Sequence, residues 1–281
     1  MKRWRKLGII AGGGALPVRV AASCRLQDTP FHVIRIKGAT DTALSDLPGD
    51  ECGIGEAGKI IRRLKEEECD AVVFAGVVRR PDFSSLSVDW RGAALLPKVV
   101  AAATRGDGAL LSVLVDTMES EGVNVVGVEE TLSALAAPAG PLGDIAPSDA
   151  HFADIRKAAA VINALGEFDV GQGAVVAQGL VLAIEAAEGT DSMLARCASL
   201  PVDLLSGGGV LVKRPKPGQE LRIDLPAIGP ETVRRAKEAG LSGIAIEANV
   251  ALIIDRDEVR VAANQYGLFV YGFQTSEISV A

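Results

Sequence analysis

Cationic side chains and the carboxylate of Asp224 are clustered between Gly207 and Thr232, in the stretch GGGVLVKRPKPGQELRIDLPAIGPET. Lys213, Lys216 and Arg222 follow a glycine-rich opening, and Asp224 stands between two apolar residues just before a proline. Cations bind phosphate groups, and a carboxylate can ligate Mg²⁺ or act as a general base. The stretch is therefore interpreted as a site for a phosphorylated ligand and a metal ion. An ordinary solvated hairpin is the alternative.

The residues around Asp224 alternate between apolar and charged side chains. Leu221, Ile223 and Leu225 are separated by Arg222 and Asp224. A period of two is typical of a half-buried strand, on which side chains two residues apart share a face. The pattern predicts a strand over residues 221–225, with its two charged residues facing the same way.

A second group of candidate residues lies between Gly171 and Ala198. Residues 180–188 are mostly apolar and predict a buried helix. If that helix continued, Glu185, Glu188 and Asp191 would share one face. Glu185 has apolar neighbours, and a buried carboxylate needs a partner. Thr190 is predicted to cap the next helix, whose free N–H groups suit a phosphate. The alternative is a plain helix–turn–helix with solvated acids.

The N-terminus has the order strand, glycine turn, helix. Leu7 to Ala11 is followed by three glycines and by a helical pattern that contains Pro17. This order is typical of the phosphate-binding opening of a Rossmann-like domain. The dinucleotide fingerprint is incomplete, because Pro17 replaces its third glycine and no acidic residue clearly closes the next strand. Gly76 and Arg79 lie at the carboxyl end of a later predicted strand. There are two interpretations of this position: a phosphate contact or an ordinary solvated loop.

The pattern along the chain predicts an α/β protein of two domains. Strands and helices alternate over residues 1–133, which predicts a Rossmann-like N-terminal domain with a parallel sheet. Residues 134–148 carry three prolines without periodicity and are predicted to form a linker. Residues 149–281 are predicted to form a C-terminal catalytic α/β domain.

Composition narrows the possible functions. The net charge of −7 argues against general nucleic-acid binding, which needs a large positive surface. The four cysteines lack metal-ligand spacing and are predicted to be buried thiols, which suits a reducing cytoplasm. No apolar run is long enough for a membrane span. A soluble protein is expected, with peripheral membrane contact left open.

Three phrases of the sequence resemble the LpxI-type UDP-2,3-diacylglucosamine hydrolases of lipid A biosynthesis. They are IAGGGALP, GQGAVVAQG…EAAEGTD and GGVLVKRPKPGQELRIDLPAIGPETV, and the two later phrases are the more specific. The likeness covers nearly the whole chain, except the tail after Phe273. It implies Mg²⁺-dependent hydrolysis of the pyrophosphate bond of UDP-2,3-diacylglucosamine to UMP and 2,3-diacylglucosamine 1-phosphate (lipid X), with attack at the phosphorus next to the sugar. It also implies a cytoplasmic homodimer, peripheral to the inner membrane.

The resemblance assigns roles to individual residues. The carboxylate that the family requires falls on Asp224, which is predicted as the catalytic residue and as a metal ligand; whether it binds the metal or activates water stays open. Glu185, singled out by its apolar neighbours and not by the resemblance, is predicted as a second metal ligand. The G-Q-G, G-T-D and K-P-x-Q phrases of the family place substrate-binding residues at Gln172, Gly173, Thr190, Asp191, Lys216 and Gln219. The glycine turns and cations described above add Gly12, Gly13, Gly76, Arg79 and Lys213 to the predicted substrate-binding residues.

Two other classes of function compete with the hydrolase. The Rossmann-like opening suggests an NAD(P)-dependent oxidoreductase, although the incomplete fingerprint counts against it. A non-catalytic lipid- or nucleotide-binding protein would bind a ligand without phosphate chemistry. Incubation with UDP-diacylglucosamine, with and without Mg²⁺, separates the three, because only the hydrolase releases UMP.

Overall fold

The computed structural model describes residues 4–78, 86–205 and 207–278, and the chain divides into two compact units. Unit 1 comprises Met1–Ser133 and Glu220–Asp224, and unit 2 comprises Ala134–Gln219 and Leu225–Ala281. Both combine strands and helices, so the predicted α/β class is confirmed. Arg79, one of the predicted substrate-binding residues, lies outside the described residues.

Unit 1 is built on a five-stranded parallel sheet in the order β3-β2-β1-β4-β5. The central strands are aliphatic and buried on both faces, as in parallel sheets covered by helices. The strand order reverses between β1 and β4, and open α/β sheets bind ligands at such a point. The predicted Rossmann-like parallel sheet is confirmed. Its strands are β1 (Leu7–Ala11), β2 (Phe31–Ile36), β3 (Gly49–Cys52), β4 (Ala71–Ala75) and β5 (Asn124–Val125).

The helices of unit 1 connect these strands. The second helix illustrates their pattern, because Ile60, Ile61 and Leu64 are buried in the core while its arginines and lysines are on the other side. The third and fourth helices lie consecutively between β4 and β5. The helices are α1 (Ala15–Leu26), α2 (Ala57–Glu66), α3 (Trp90–Ala103), α4 (Asp107–Ser120) and α5 (Val128–Thr131).

Unit 2 contains a six-stranded mixed sheet in the order β6-β13-β11-β9-β7-β8, and a separate parallel pair, β10 with β12. Strands β9, β11 and β13 are mutually parallel, whereas β7 runs antiparallel to both of its neighbours. The strands are β6 (Gly140–Pro141), β7 (Gly173–Ala177), β8 (Leu180–Ile184), β9 (Val210–Lys213), β10 (Ala227–Ile228), β11 (Gly243–Glu247), β12 (Leu252–Ile253) and β13 (Phe269–Phe273).

Helices cover both faces of the six-stranded sheet. Successive residues of a strand point to opposite faces, so Val175 joins one apolar cluster and Val176 joins the other. The first helix packs on one face and the next three on the other. The helices are α6 (Asp149–Gly166), α7 (Gly189–Cys197), α8 (Pro230–Glu238), α9 (Arg256–Tyr266) and α10 (Thr275–Ile278). Short 3₁₀ helices lie at Thr42–Leu44, Ser133–Leu135 and Val202–Leu205.

The helix predicted over residues 180–188 is wrong, because Leu180–Ile184 forms β8, paired antiparallel with β7. The two strands are joined by Gln178 and Gly179, both with positive φ (50° and 77°). Two such residues form the tight turn that favours a hairpin. A buried Asp154 carboxylate accepts the N–H groups of both, at 3.0 and 2.7 Å.

The strand predicted over residues 221–225 is also wrong, because these residues form a turn. The N–H groups of Ile223 and Asp224 both donate to the carbonyl of Glu220, at 3.2 and 3.1 Å. The Arg222 guanidinium binds back to the Glu220 carboxylate through Nε and Nη2, each at 2.8 Å. These local bonds replace the ladder that a strand would need. An alternating pattern of five residues does not exclude this conformation.

Two segments of the chain belong to other parts of the structure than the predicted domain boundaries suggest. Residues 134–148, predicted as a linker, contribute β6 to the sheet of unit 2, where it pairs antiparallel with β13. Residues 220–224, predicted as part of the C-terminal domain, belong to unit 1.

Among the described residues, none of the helices combines the length and the hydropathy that a membrane span requires.

Candidate functional site

In unit 1 the glycines predicted to bind substrate lie together at the carboxyl ends of β1 and β4. The N–H of Gly12 donates to the carbonyl of Ala75 at 2.8 Å. Gly13 and Val77 exchange two backbone hydrogen bonds, each of 2.9 Å. The two loops that follow β1 and β4 are therefore bound to each other by main-chain hydrogen bonds.

Close backbone packing explains why these positions are glycine. A Cβ added at Gly13 would lie 2.8 Å from the carbonyl oxygen of Ala39. One added at Gly76, where φ is +88°, would lie 2.5 Å from the carbonyl oxygen of Gly13. Neither distance leaves room for a side chain, so both glycines have a structural role whether or not they also bind substrate.

Beside these loops is a cavity of about 580 Å³, a size typical of small-molecule sites. It lies at the switch point of the parallel sheet, where such folds bind ligands. Glycine backbone and aliphatic side chains form most of its wall, and Lys37 provides a cation. The lining residues are Gly13, Gly14, Ile36, Lys37, Gly38, Ala39, Ile54, Val77 and Val78.

Asp224 ends the five-residue segment that belongs to unit 1. The side chain of the preceding Ile223 packs against the apolar core of that unit. Arg222 pairs with Glu220 and, at 2.5 Å, with Glu119 of α4. The hydrogen bond to Glu220, followed by that to Glu119, raises the pKa of Arg222, and the bond from Arg222 lowers the pKa of Glu220. These contacts fix the backbone that carries Asp224, which is half-buried.

In unit 2, Lys213, Thr190 and Glu185 form a buried network. The ammonium of Lys213 donates to Thr190 Oγ1 at 2.6 Å and to the carbonyl of Ala227 at 3.4 Å. Thr190 donates in turn to Glu185 Oε1 at 2.7 Å, and Glu185 Oε2 lies 3.7 Å from the ammonium. Lys213 is 4% exposed and Glu185 7%. The network binds the ends of β8 and β9 to the start of α7 and to β10.

The backbone of the G-Q-G phrase encloses this network. A Cβ added at Gly171, where φ is +45°, would lie 1.8 Å from the Glu185 carbonyl oxygen, and one at Gly173 would lie 2.5 Å from Glu185 Oε2. Glycine at both positions therefore lets the chain pass directly beside the Glu185 side chain.

A second polar group connects the loops that precede β7 and follow β9. Gln219 Nε2 donates to Gln172 Oε1 at 3.0 Å, and Gln219 Oε1 accepts the backbone N–H of Lys216 at 2.8 Å. The ammonium of Lys216 pairs with Asp169. Unit 2 thus brings together three of the predicted substrate-binding side chains. Asp191 points to a different partner, Arg235 of α8, at 3.6 Å.

The predicted helix face that would join Glu185, Glu188 and Asp191 does not form. Glu185 directly follows β8, whereas Asp191 lies in the first turn of α7. Glu188 is the residue before that helix, so Thr190 lies inside the helix and does not cap it. The side chain of Glu188 pairs instead with Arg196 at 2.6 Å, and this hydrogen bond lowers the pKa of Glu188.

The two predicted metal ligands have different surroundings. The described residues contain no group of three or more His, Cys, Asp or Glu side chains arranged to hold a metal. Glu185 is paired with a buried lysine and enclosed by glycine backbone, while its Oε2 atom has no hydrogen-bond partner among the residues described. The half-buried Asp224 fits better, because Mg²⁺ usually takes one or two carboxylates and completes its shell with water and phosphate oxygens.

Sequence reasoning missed one ion pair at the carboxyl ends of β9 and β11. Arg214 Nε lies 3.0 Å from Glu247 Oε2, and Thr275 donates to Glu247 Oε1 at 2.9 Å. Both charged side chains are largely buried. The signal was a charged residue at the end of each apolar strand, since parallel strands place their carboxyl ends at one edge.

Comparison with known proteins gives two family matches that follow one another along the chain. Residues 6–135 match the LpxI N-terminal domain, and residues 138–271 match the LpxI C-terminal domain. The chain is 49% identical over 277 residues to the UDP-2,3-diacylglucosamine pyrophosphatase LpxI of Caulobacter vibrioides. This alignment covers 97% of the chain and 99% of the relative.

Proposed function

Since the chain belongs to the LpxI family, we propose that it hydrolyses the pyrophosphate bond of UDP-2,3-diacylglucosamine in lipid A biosynthesis. The products are UMP and 2,3-diacylglucosamine 1-phosphate. The observation that carries this proposal is the 49% identity, over nearly the full length of both chains, to a relative named for this activity. The same match makes a nicotinamide-dependent oxidoreductase or a non-catalytic binding protein a poorer account of the chain.

The reaction that follows is attack by water on the phosphorus next to the sugar. A new P–O bond forms, the bond from that phosphorus to the bridging oxygen breaks, and UMP leaves with the electron pair. Asp224 accepts a proton from the attacking water or binds the metal that activates it. The hydrogen bonds and ion pairs of residues 220–223 position this carboxylate within unit 1.

Magnesium is the proposed cofactor. It would neutralise the negative charge of the diphosphate and orient water. Asp224 is the residue proposed to hold it, together with oxygens of the substrate. Support comes from the half-buried carboxylate of Asp224 and from the pairing of Glu185 with Lys213, which leaves Asp224 the better candidate.

The two predicted lysines have different surroundings, and we therefore propose a different role for each. Lys213 is almost fully buried, donates to Thr190 and to the carbonyl of Ala227, and lies 3.7 Å from the carboxylate of Glu185, so we assign it to holding the loops of unit 2. Among the described residues Lys216 forms an ion pair with Asp169 only, and it is a better candidate for a phosphate contact. Gln172 and Gln219 lie in the same polar group and are proposed to bind substrate with it.

Further proposals concern the enzyme's setting. The substrate is a lipid-linked UDP-sugar, so the enzyme is proposed to act in the cytoplasm while in peripheral contact with the inner membrane. A homodimer is proposed as its working form. Vesicle flotation and sedimentation equilibrium test these two statements independently of turnover.

The central test is Asp224→Asn, which keeps the size of the side chain and removes its charge. Turnover is expected to fall by at least about 100-fold, the typical scale of a general acid–base contribution. UDP-diacylglucosamine binding should persist, as measured by calorimetry with purified protein. Exposed Glu238→Gln on α8 is the matched control and should retain the wild-type rate. Near-wild-type release of UMP by Asp224→Asn would remove Asp224 from the mechanism.

Cofactor dependence is tested with the wild-type protein. Chelation by EDTA should stop UMP release, and added Mg²⁺ should restore it, if the metal acts as proposed. Unchanged hydrolysis in EDTA would mean that the protein groups act without magnesium. Absence of UMP release under any metal would overturn the proposed function itself.

A further inference from the structure

Helix α3 exposes apolar side chains on its outward side. Trp90 is 73% exposed and Val100 39%. Residues 90, 93, 94, 97 and 101 are all exposed, and their spacing places them on one side of the helix. We call this side the α3 outer face; its exposed apolar residues are Trp90, Ala93, Ala94, Pro97 and Ala101, with Val100 at its edge.

The opposite side of α3 is fixed to the body of unit 1. A Cβ added at the buried Gly92 would lie 2.1 Å from the carbonyl oxygen of Gly55. The Asp89 carboxylate accepts the N–H of Gly92 at 2.7 Å and that of Lys59, in α2, at 2.8 Å. The helix is therefore held in this rotation, and the α3 outer face remains outside. The solvent side of a surface helix is normally polar, so an apolar outer face indicates a contact surface.

Charge identifies the kind of partner. Helix α3 contains Arg91 and Lys98 and no acidic residue, and Arg105 follows it, although the chain as a whole carries −7. Arg91 pairs with Glu121 of unit 1 at 2.5 Å. Lys98 and Arg105 are exposed, and neither has a carboxylate partner among the ion pairs of the described residues. Asp116 and Glu121 also line the groove beside Trp90 and Lys98, and Glu121 is already paired with Arg91. Cations beside exposed apolar residues and a tryptophan are typical of a helix at an anionic lipid surface.

We propose that the α3 outer face contacts the surface of an anionic phospholipid membrane, with Trp90 at the level of the headgroups and Lys98 and Arg105 beside lipid phosphates. This inference deepens the proposed membrane contact and rests on it. A second copy of the chain fits less well, because a two-fold axis through this face would bring the same unpaired cations together.

Pro97 limits how deeply the helix can enter. Proline lacks an N–H, so the carbonyl of Ala93 has no helical N–H to accept from residue 97. Ala93 is on the exposed side, where water or a lipid headgroup can supply the donor. An unpaired carbonyl would be costly in the hydrocarbon core. The helix is therefore expected to lie in the headgroup layer without spanning the membrane.

The two tryptophans of the chain allow a direct test. Trp4 is buried and Trp90 exposed, so Trp4→Phe leaves one reporter on the α3 outer face. With vesicles of phosphatidylglycerol and phosphatidylcholine, its emission is expected to shift to shorter wavelength and to be quenched by brominated lipid. Trp90→Phe, which keeps only the buried indole, should show neither change. If Trp4→Phe does not fold, the wild-type minus Trp90→Phe difference spectrum gives the same reading.

Flotation measures the contribution of the face. Trp90→Ser is expected to lower the vesicle partition coefficient about tenfold, which equals about 1.4 kcal/mol. Phe168→Ser is the matched control, because Phe168 is 76% exposed in unit 2, and its partition should be unchanged. Lys98→Glu with Arg105→Glu should weaken binding to phosphatidylglycerol vesicles more than to phosphatidylcholine alone.

The results of these experiments distinguish the role of the α3 outer face from the proposed membrane contact and from the proposed hydrolase activity. Vesicle binding by the wild type without any response of Trp90 would overturn the role of the α3 outer face and leave the membrane contact in place. No binding to either vesicle type would overturn both. An emission shift that follows protein concentration in the absence of lipid would assign the face to a second copy. UMP release from substrate in detergent micelles tests the hydrolase independently of all three.

Discussion

The buried pair of Lys213 and Glu185 is the residue-level feature that most changes the interpretation of this chain. From residue identity alone, a lysine and a glutamate near a glycine-rich segment suggest phosphate and metal binding. In the fold they form an ion pair at 3.7 Å, with Thr190 hydrogen-bonded to both, and Glu185 Oε2 has no hydrogen-bond partner within the described part of the chain. Taking charges out of water is costly unless they are paired and hydrogen-bonded, so each residue explains the presence of the other.

This pairing predicts non-additive stability. Lys213→Met and Glu185→Gln should each lower the free energy of unfolding by about 3 kcal/mol, because each leaves the partner buried without compensation. The double variant should lose clearly less than the sum of the two. Guanidinium denaturation of the four proteins measures the coupling. Glu188→Gln breaks the exposed pair with Arg196 and serves as control, with an expected loss below about 1 kcal/mol. Additive losses would mean that the pair does not interact as described.

At the scale of elements, the loops after β1 and β4 are the best-defined part of unit 1. The glycine turn was predictable from the sequence, because a strand, three glycines and a helical pattern follow one another. The contact between the loops was not, because it joins residues about 60 positions apart. In particular, the need for glycine at position 76 becomes clear only when the nearby carbonyl of Gly13 is known.

Gly76→Ala tests this contact against a glycine of the same conformation. Gly76 and Gly122 both have positive φ, +88° and +81°, but an added Cβ meets backbone only at Gly76. Gly122→Ala should lower the free energy of unfolding by about 1 kcal/mol, the cost of a left-handed residue. Gly76→Ala should cost at least about 1 kcal/mol more, because the loops must also separate. Equal losses in urea denaturation would argue against the close packing of the two loops.

The two elements that sequence reasoning assigned wrongly were misassigned for different reasons. Residues 180–184 are apolar throughout, and such a run is compatible with a buried helix or a buried strand. The decisive signal was the preceding Gln178–Gly179 turn, whose positive φ angles commit the chain to a hairpin. At residues 221–225 the alternating pattern was real, but side-chain and backbone bonds to Glu220 formed a turn instead.

At the scale of the whole molecule, the two units do not follow the chain in simple order. Residues 220–224 belong to unit 1, although the matched C-terminal family domain spans residues 138–271. The stability of unit 1 should therefore depend on a segment that is distant from it in sequence. Ile223, packed against the core of unit 1, and Arg222, paired with Glu119, are the contacts responsible.

Ile223→Ala is expected to destabilise unit 1 selectively. Loss of a partly buried isoleucine side chain should cost about 1–2 kcal/mol, the lower part of the range for large-to-small substitutions. Amide hydrogen exchange should accelerate in strands β1, β2 and β4 and remain unchanged in β11 and β13. The neighbouring Leu221→Ala, at a residue 39% exposed, is the control and should have a smaller effect. Faster exchange confined to unit 2 would contradict the assignment of residues 220–224.

The sequence by itself determined the α/β class, the parallel Rossmann-like sheet and the family. These depend on local periodicity, glycine turns and the order of specific phrases, all of which can be read along the chain. Only the tertiary structure decided that Glu185 pairs with Lys213, that Arg214 pairs with Glu247 and that Asp224 belongs with unit 1. The physical reason is that a buried charge is stable only beside a partner, and in the folded chain that partner can be a residue far away in sequence.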